Sequence, residues 1–137
     1  MTDQKQSRDP IKGKAFHRFW ITTVAILMIL FGLAEIVTGF THNFFGVSTT
    51  RSTFSACANA GVGALYAVAG ILILSMTKRC VAIALGCLAL DVVGRIALVV
   101  TGLFPINAFR QTGAMVAGTI IVIIFAAYIG SKWKQFG

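Results

Sequence analysis

The stretch MTKRCVAIALGCLALDVVGRIALVVTGLFP, Met76 to Pro105, decides the fold. Between the basic turn Thr77, Lys78, Arg79 and Pro105 lies an apolar run, Cys80 to Phe104, whose charged residues are Asp91 and Arg95 alone. A helix rising about 1.5 Å per residue crosses a hydrocarbon core about 30 Å thick in about 20 residues, so this run spans a membrane. Pro105 lacks an amide hydrogen and is expected to stop it. Working outward, the run from about Ala56 to Met76 is a second span, and its tight basic turn makes the two antiparallel neighbours. Phe19 to Phe40 (FWITTVAILMILFGLAEIVTGF) is the first span, and about Thr112 to Trp133 is the fourth. The reading is all-α: a polytopic membrane protein built as an antiparallel four-helix transmembrane bundle.

Composition agrees. The 137 residues are 57% apolar and 12% charged, with a mean hydropathy of +0.85, outside the range of soluble domains. The segment 1–18 is a basic N-terminal segment, 19–133 the transmembrane domain, and 134–137 a tail too short to fold. Thr41 to Ser55 (THNFFGVSTTRSTFS) is the longest connection, and its Ser, Thr and small residues favour turns or a short surface helix.

Lys5, Arg8, Lys12, Lys14, Arg18, Lys78, Arg79, Lys132 and Lys134 fall on one side of the membrane, against Arg51 and Arg110 on the other. By the positive-inside rule both termini are expected to be cytoplasmic, and the expected location is a bacterial or archaeal cytoplasmic membrane. Phe19, Trp20, Tyr128 and Trp133 cluster at the same inner boundary, where amphipathic rings prefer to sit. The first apolar run exceeds the length of a signal-peptide core and reads as a retained anchor. The formal net charge of +8 flanks hydrophobic spans instead of lining a soluble face, which argues against a nucleic-acid partner and for the lipid bilayer.

The remaining chemistry is sparse. Cys57 lies at the opposite end from Cys80, and Cys80 and Cys87 are about 10 Å apart along one helix, beyond disulfide reach. His17 and His42 are a membrane thickness apart, so they cannot share a haem or a metal. No Ser or Cys stands near a His base, so no catalytic residue is assigned. The intramembrane charges are different. Each costs roughly 2.5 to 3.5 kcal/mol at a helix centre unless it is paired. Asp91 and Arg95 stand at i and i+4 and can neutralise one another. Glu35 lies at a similar depth, roughly 9 Å below the outer end of its span against roughly 13 Å for Arg95. One Arg between two carboxylates leaves an excess negative charge unless one acid is protonated, as burial and a like-charged neighbour favour, and this suits either a structural network or a site that accepts a proton, a cation or a ligand.

Thr38, Asn59, Tyr66 and Thr101 fall in the same outer half, and with Glu35, Asp91 and Arg95 they would line a pocket opening outward, under Phe44, Phe45 and Phe54 of the long connection. Ala56, Ala60, Ala64 and Ala67, then Ala82, Gly86 and Gly94, then Gly113, Ala117 and Gly118 mark faces where helices approach closely.

FGLAEIVTGF in span one, GVGALYAVAGILIL in span two and DVVGRIALVVTG in span three make the chain resemble the DoxX-like four-helix membrane proteins, from roughly Ile21 to Gly130. The features that carry the resemblance are Gly32 with Glu35 and Gly94 with Arg95. It implies a polar interior near these residues and, since the family includes subunits associated with quinone-linked oxidation, a quinone as the candidate cofactor. No redox cysteine pair or haem ligand pair is present, so the protein would supply a head-group site and not the electron chemistry. Three functions therefore stay open: a non-enzymatic or accessory membrane protein that binds a small polar or amphipathic ligand, a proton or cation transporter or channel subunit acting as a homo-oligomer, and a purely structural subunit of a larger membrane complex.

Overall fold

Four apolar runs give four helices, each long and apolar enough to cross a membrane: α1 (Pro10–Thr41), α2 (Thr53–Leu74), α3 (Lys78–Val100) and α4 (Phe109–Ser131). The structure, a computed structural model, describes residues 10–41, 43–44, 47–48, 52–103 and 109–137. A two-residue antiparallel pair, β1 (Asn43–Phe44) with β2 (Val47–Ser48), lies between α1 and α2. The protein is an integral membrane bundle of antiparallel helices.

The helix ends have local causes. Among the described residues α1 is already helical at Pro10, well before the apolar run at Phe19. Ser52 and Ser55 open α2 with a reciprocal capping box: the Ser55 N–H donates to Ser52 Oγ and the Ser52 N–H donates to Ser55 Oγ. α3 does not run to Pro105. It ends at Val100, where Gly102 takes a φ of +69° and its N–H donates back to the Val99 carbonyl. Pro105 itself lies outside the described residues.

The tail also departs from expectation. Trp133–Gln135 form one 3-10 turn, Phe136 is 2% exposed, and Gly137 bridges the α2–α3 turn. The Gly137 N–H donates to the Met76 carbonyl, and the Lys78 N–H donates to the Gly137 carbonyl. Four residues suffice because an apolar anchor and two backbone bonds are both available, and Phe136 joins Ile73, Val81 and Ile129 in the core.

Glycine and alanine set the closest helix pair. On α1, Ala25, Gly32 and Gly39 recur every seventh residue, and on α2 Ala56, Gly63 and Gly70 do the same in the opposite direction. A Cβ at Gly39 would lie 3.0 Å from the Ala56 carbonyl oxygen, one at Gly32 2.7 Å from that of Gly63, and one at Gly70 2.7 Å from that of Ala25. Backbone meets backbone along the whole seam, which maximises dispersion where lipid offers no hydrophobic drive. Part of the expected packing pattern is corrected. Gly86 and Gly113 have no neighbour within 4 Å, and Ala82 is exposed. A Cβ at either glycine would point into open space, and all three positions are exposed.

The core fills the half of the bundle that holds the α1 N-terminus, with Ile21, Ala25, Met28, Ile73, Leu88 and Val122 among its buried members. Val93, Leu90 and Val100 are 61%, 60% and 80% exposed, the outward apolar surface a lipid-facing helix requires. Thr23, Thr38, Thr41, Thr101 and Thr119 each donate a hydroxyl hydrogen bond to the carbonyl four residues earlier. These five threonine hydroxyls are thereby satisfied within their own helix.

Candidate functional site

Arg95 is the hub, and the backbone of α3 already places its first partner. Asp91, one turn earlier and fully buried, accepts from Arg95 Nε at 2.9 Å through Oδ2 and from Nη2 at 3.5 Å through Oδ1. The second partner comes from α1, where Glu35 Oε1 accepts from Arg95 Nη2 at 2.5 Å. The Gly32–Glu35 spacing explains how Glu35 reaches it. Gly32 lets α1 touch α2, and one turn later the Glu35 Cβ rests on Gly63, where an added Cβ would stand only 2.7 Å away. The carboxylate is then directed towards α3. Gly94 lets α3 close on Val62 of α2 in the same way, and Gly118 of α4 leaves space for the guanidinium, since a Cβ there would lie 3.0 Å from Arg95 Nη1.

With all three groups ionised, the charges do not cancel. Two carboxylates share one guanidinium, and Glu35 Oε2 is buried with no hydrogen-bond partner among the described residues. On the Arg95 side, Nε and Nη2 are used, and no described residue accepts from Nη1. Leaving a buried acceptor unmade costs about 1–3 kcal/mol, and more when it is charged, so Oε2 is the group to explain.

Glu35 borders a cavity of about 240 Å³ between the four helices, in the half of the bundle that holds the α1 C-terminus. Glu35, Thr38, Asn59 and Arg95 supply the polar lining, and Phe31 and Met115 are prominent in the apolar part. The Thr38 hydroxyl donates to the Ala34 carbonyl. Four of the seven outer-half residues singled out from sequence therefore meet in one space.

The other three do not line it. Asp91 lies behind Arg95 at 0% exposure and acts on the cavity only through it. Tyr66 turns into the core, 2% exposed, and stacks on Phe125 at a centroid distance of 6.4 Å. Its hydroxyl is buried and has no hydrogen-bond partner among the described residues. Thr101 is exposed and bonds to its own helix. Of the aromatic residues expected above the site, Phe54 is 70% exposed and Phe45 lies outside the described residues.

Sequence reasoning missed the α4 wall. Ala114, Ala117 and Gly118 stand at i, i+3 and i+4 on one helix face, and the signal was visible as small residues. Such a stripe reads as helix contact, yet here it holds space open in front of Arg95.

Within the described residues no group of three His, Cys, Asp or Glu side chains is placed to hold a metal ion. All three cysteines are free thiols. Comparison with protein-family models, with curated proteins and with solved structures finds no match. The class defined by the fold and the site is thus a four-helix integral membrane protein with a buried, unequal charge cluster beside a cavity.

Proposed function

We propose that this chain is a non-enzymatic membrane protein of the DoxX-like kind that binds a small neutral head group bearing a hydroxyl, a quinol among them, at Glu35 and Arg95. One observation carries the reading: Glu35, whose Oε2 has no partner among the described residues, and Arg95, whose Nη1 no described residue accepts from, line the same cavity. A single hydroxyl oxygen can donate to the first and accept from the second, satisfying both at once. A quinone carbonyl accepts from Nη1 but leaves Oε2 without a donor, so the reduced form is preferred. Small anions are disfavoured, because two carboxylates already outnumber the one guanidinium. With both termini cytoplasmic, as the basic residues argue, the cavity belongs to the outer half of the membrane.

The same charge excess favours one second reading. Glu35 takes up a proton or a monovalent cation, and the chain serves as a transport subunit.

A thermal-unfolding series in detergent separates the two. Short-chain quinols and phenols should raise the midpoint of the wild type and leave Glu35→Gln unmoved; at a hundredfold excess over Kd the gain is about 2.7 kcal/mol. A shift from sodium, potassium or pH alone would favour the transport reading. No shift from any of them would leave a structural role in a larger complex.

A further inference from the structure

A second space touches the same arginine. Between α3 and α4 runs a groove of about 260 Å³ in which Ile96, Val99 and Val100 face Val116 and Ile120. Ile96, Val100, Val116 and Ile120 are each at least half exposed, so in a bilayer the groove opens onto hydrocarbon. Arg95 and Met115 line both the groove and the polar cavity, and they form the wall between the two. Both are long, unbranched side chains, and a methionine yields easily to a passing group. Beyond the wall the chain is small, with Ala114, Ala117 and Gly118 facing the cavity.

From this geometry we infer that the ligand is a lipid-soluble amphiphile that enters sideways from the bilayer, its hydroxyl head seated between Glu35 and Arg95 and its hydrocarbon tail lying in the α3–α4 groove. The inference rests on the head-group reading above and adds the tail and the route. Charge and shape select the occupant. Among the described residues the polar side chains at the groove are Arg95, which also lines the cavity, and Thr119, whose hydroxyl donates to the Met115 carbonyl. A peptide segment laid there would bring backbone amides and carbonyls into hydrocarbon without partners, whereas an alkyl or prenyl chain brings none. The tail gains little by leaving lipid for an equally apolar groove, so the groove governs access and position more than affinity.

The test uses two phenols on full-length protein in nanodiscs. Para-ethylphenol reports the head-group site through its thermal shift, and para-decylphenol carrying a diazirine in mid-chain reports the position of the tail by photolabelling. The expected label falls on residues 96–100 and 116–120, is displaced by unlabelled para-decylphenol, and is lost in Glu35→Gln. Val116→Trp, which fills the groove, should abolish that label while keeping the para-ethylphenol shift. Labelling confined to α1 and α2, or unchanged in Val116→Trp, would overturn the sideways route while the head-group site stands, and so would loss of both readouts together in that variant. A wild type that shows no para-ethylphenol shift would remove the head-group reading, and the groove with it.

Discussion

Arg95→Met and Asp91→Asn remove the two sides of one ion pair, and they should not cost the same. Asp91 is wholly buried and both its oxygens accept from Arg95 alone among the described groups. Deleting the guanidinium therefore strands Asp91 and Glu35 together, and breaking a buried pair in this way costs about 3–5 kcal/mol. Asp91→Asn keeps an oxygen facing Arg95 Nε and leaves Arg95 matched one to one with Glu35, so its loss is that of one charge-assisted bond, about 1.5–3 kcal/mol. In the double variant one of the two stranded acids is gone, and the combined loss should fall short of the two single losses by at least about 1.5 kcal/mol, within the range seen for contacting residues. The assay is unfolding in mixed micelles by rising dodecyl sulfate, followed by helical circular dichroism, at low and high salt. Salt should change little, because buried pairs are weakly screened. Additive losses, or an Asp91→Asn costlier than Arg95→Met, would refute the idea that Arg95 is the hub.

Gly63→Ala should destabilise by about 1–3 kcal/mol through overpacking, because its Cβ would meet Glu35 Cβ at 2.7 Å and the Gly32 carbonyl oxygen at 2.9 Å, whereas Gly86→Ala, with open space around it, should gain up to about 1 kcal/mol of helix propensity. The same dodecyl sulfate titration compares them, and equal effects would deny the α1–α2 seam. Phe136→Ala should free the tail, and hydrogen exchange should then quicken at the amides of Lys78 and Gly137, which bond across the α2–α3 turn, while amides in mid-α2 stay protected. On topology, a single cysteine at Ser48 should react with an impermeant thiol reagent in intact cells and one at Gln135 should not, each tested in a background lacking the three native cysteines. The opposite pattern would invert the orientation.

The spans were legible because membrane helices must be apolar for about 20 residues, whatever they pack against. Their ends were less so. α3 stops at Gly102 by backbone conformation, and the proline that attracted attention stands further on. The i, i+4 spacing made Asp91 and Arg95 readable as a pair, and depth counting brought Glu35 to them, since a chain can bury three charges only by assembling them. What stayed hidden was direction around the helix axis. Gly86 faces away from the bundle while Gly63 and Gly70 carry its tightest seam, and Tyr66 points to Phe125 instead of the cavity. With small and aromatic residues distributed all round each helix, no single apolar stripe fixes rotation. The α4 wall was hidden for a related reason: a small residue can admit a neighbouring helix or leave room for a ligand, and the sequence looks the same.

The central claim is that Glu35 Oε2 receives a hydrogen bond from a bound hydroxyl, and an infrared difference spectrum taken on adding para-ethylphenol to the protein in nanodiscs observes that carboxylate itself. The account predicts a shift of one carboxylate stretching band that disappears in Glu35→Gln and persists in Thr101→Ala, a variant that leaves the cavity lining intact. A binding event with no change in the carboxylate region, or a band shift that survives Glu35→Gln, would contradict it.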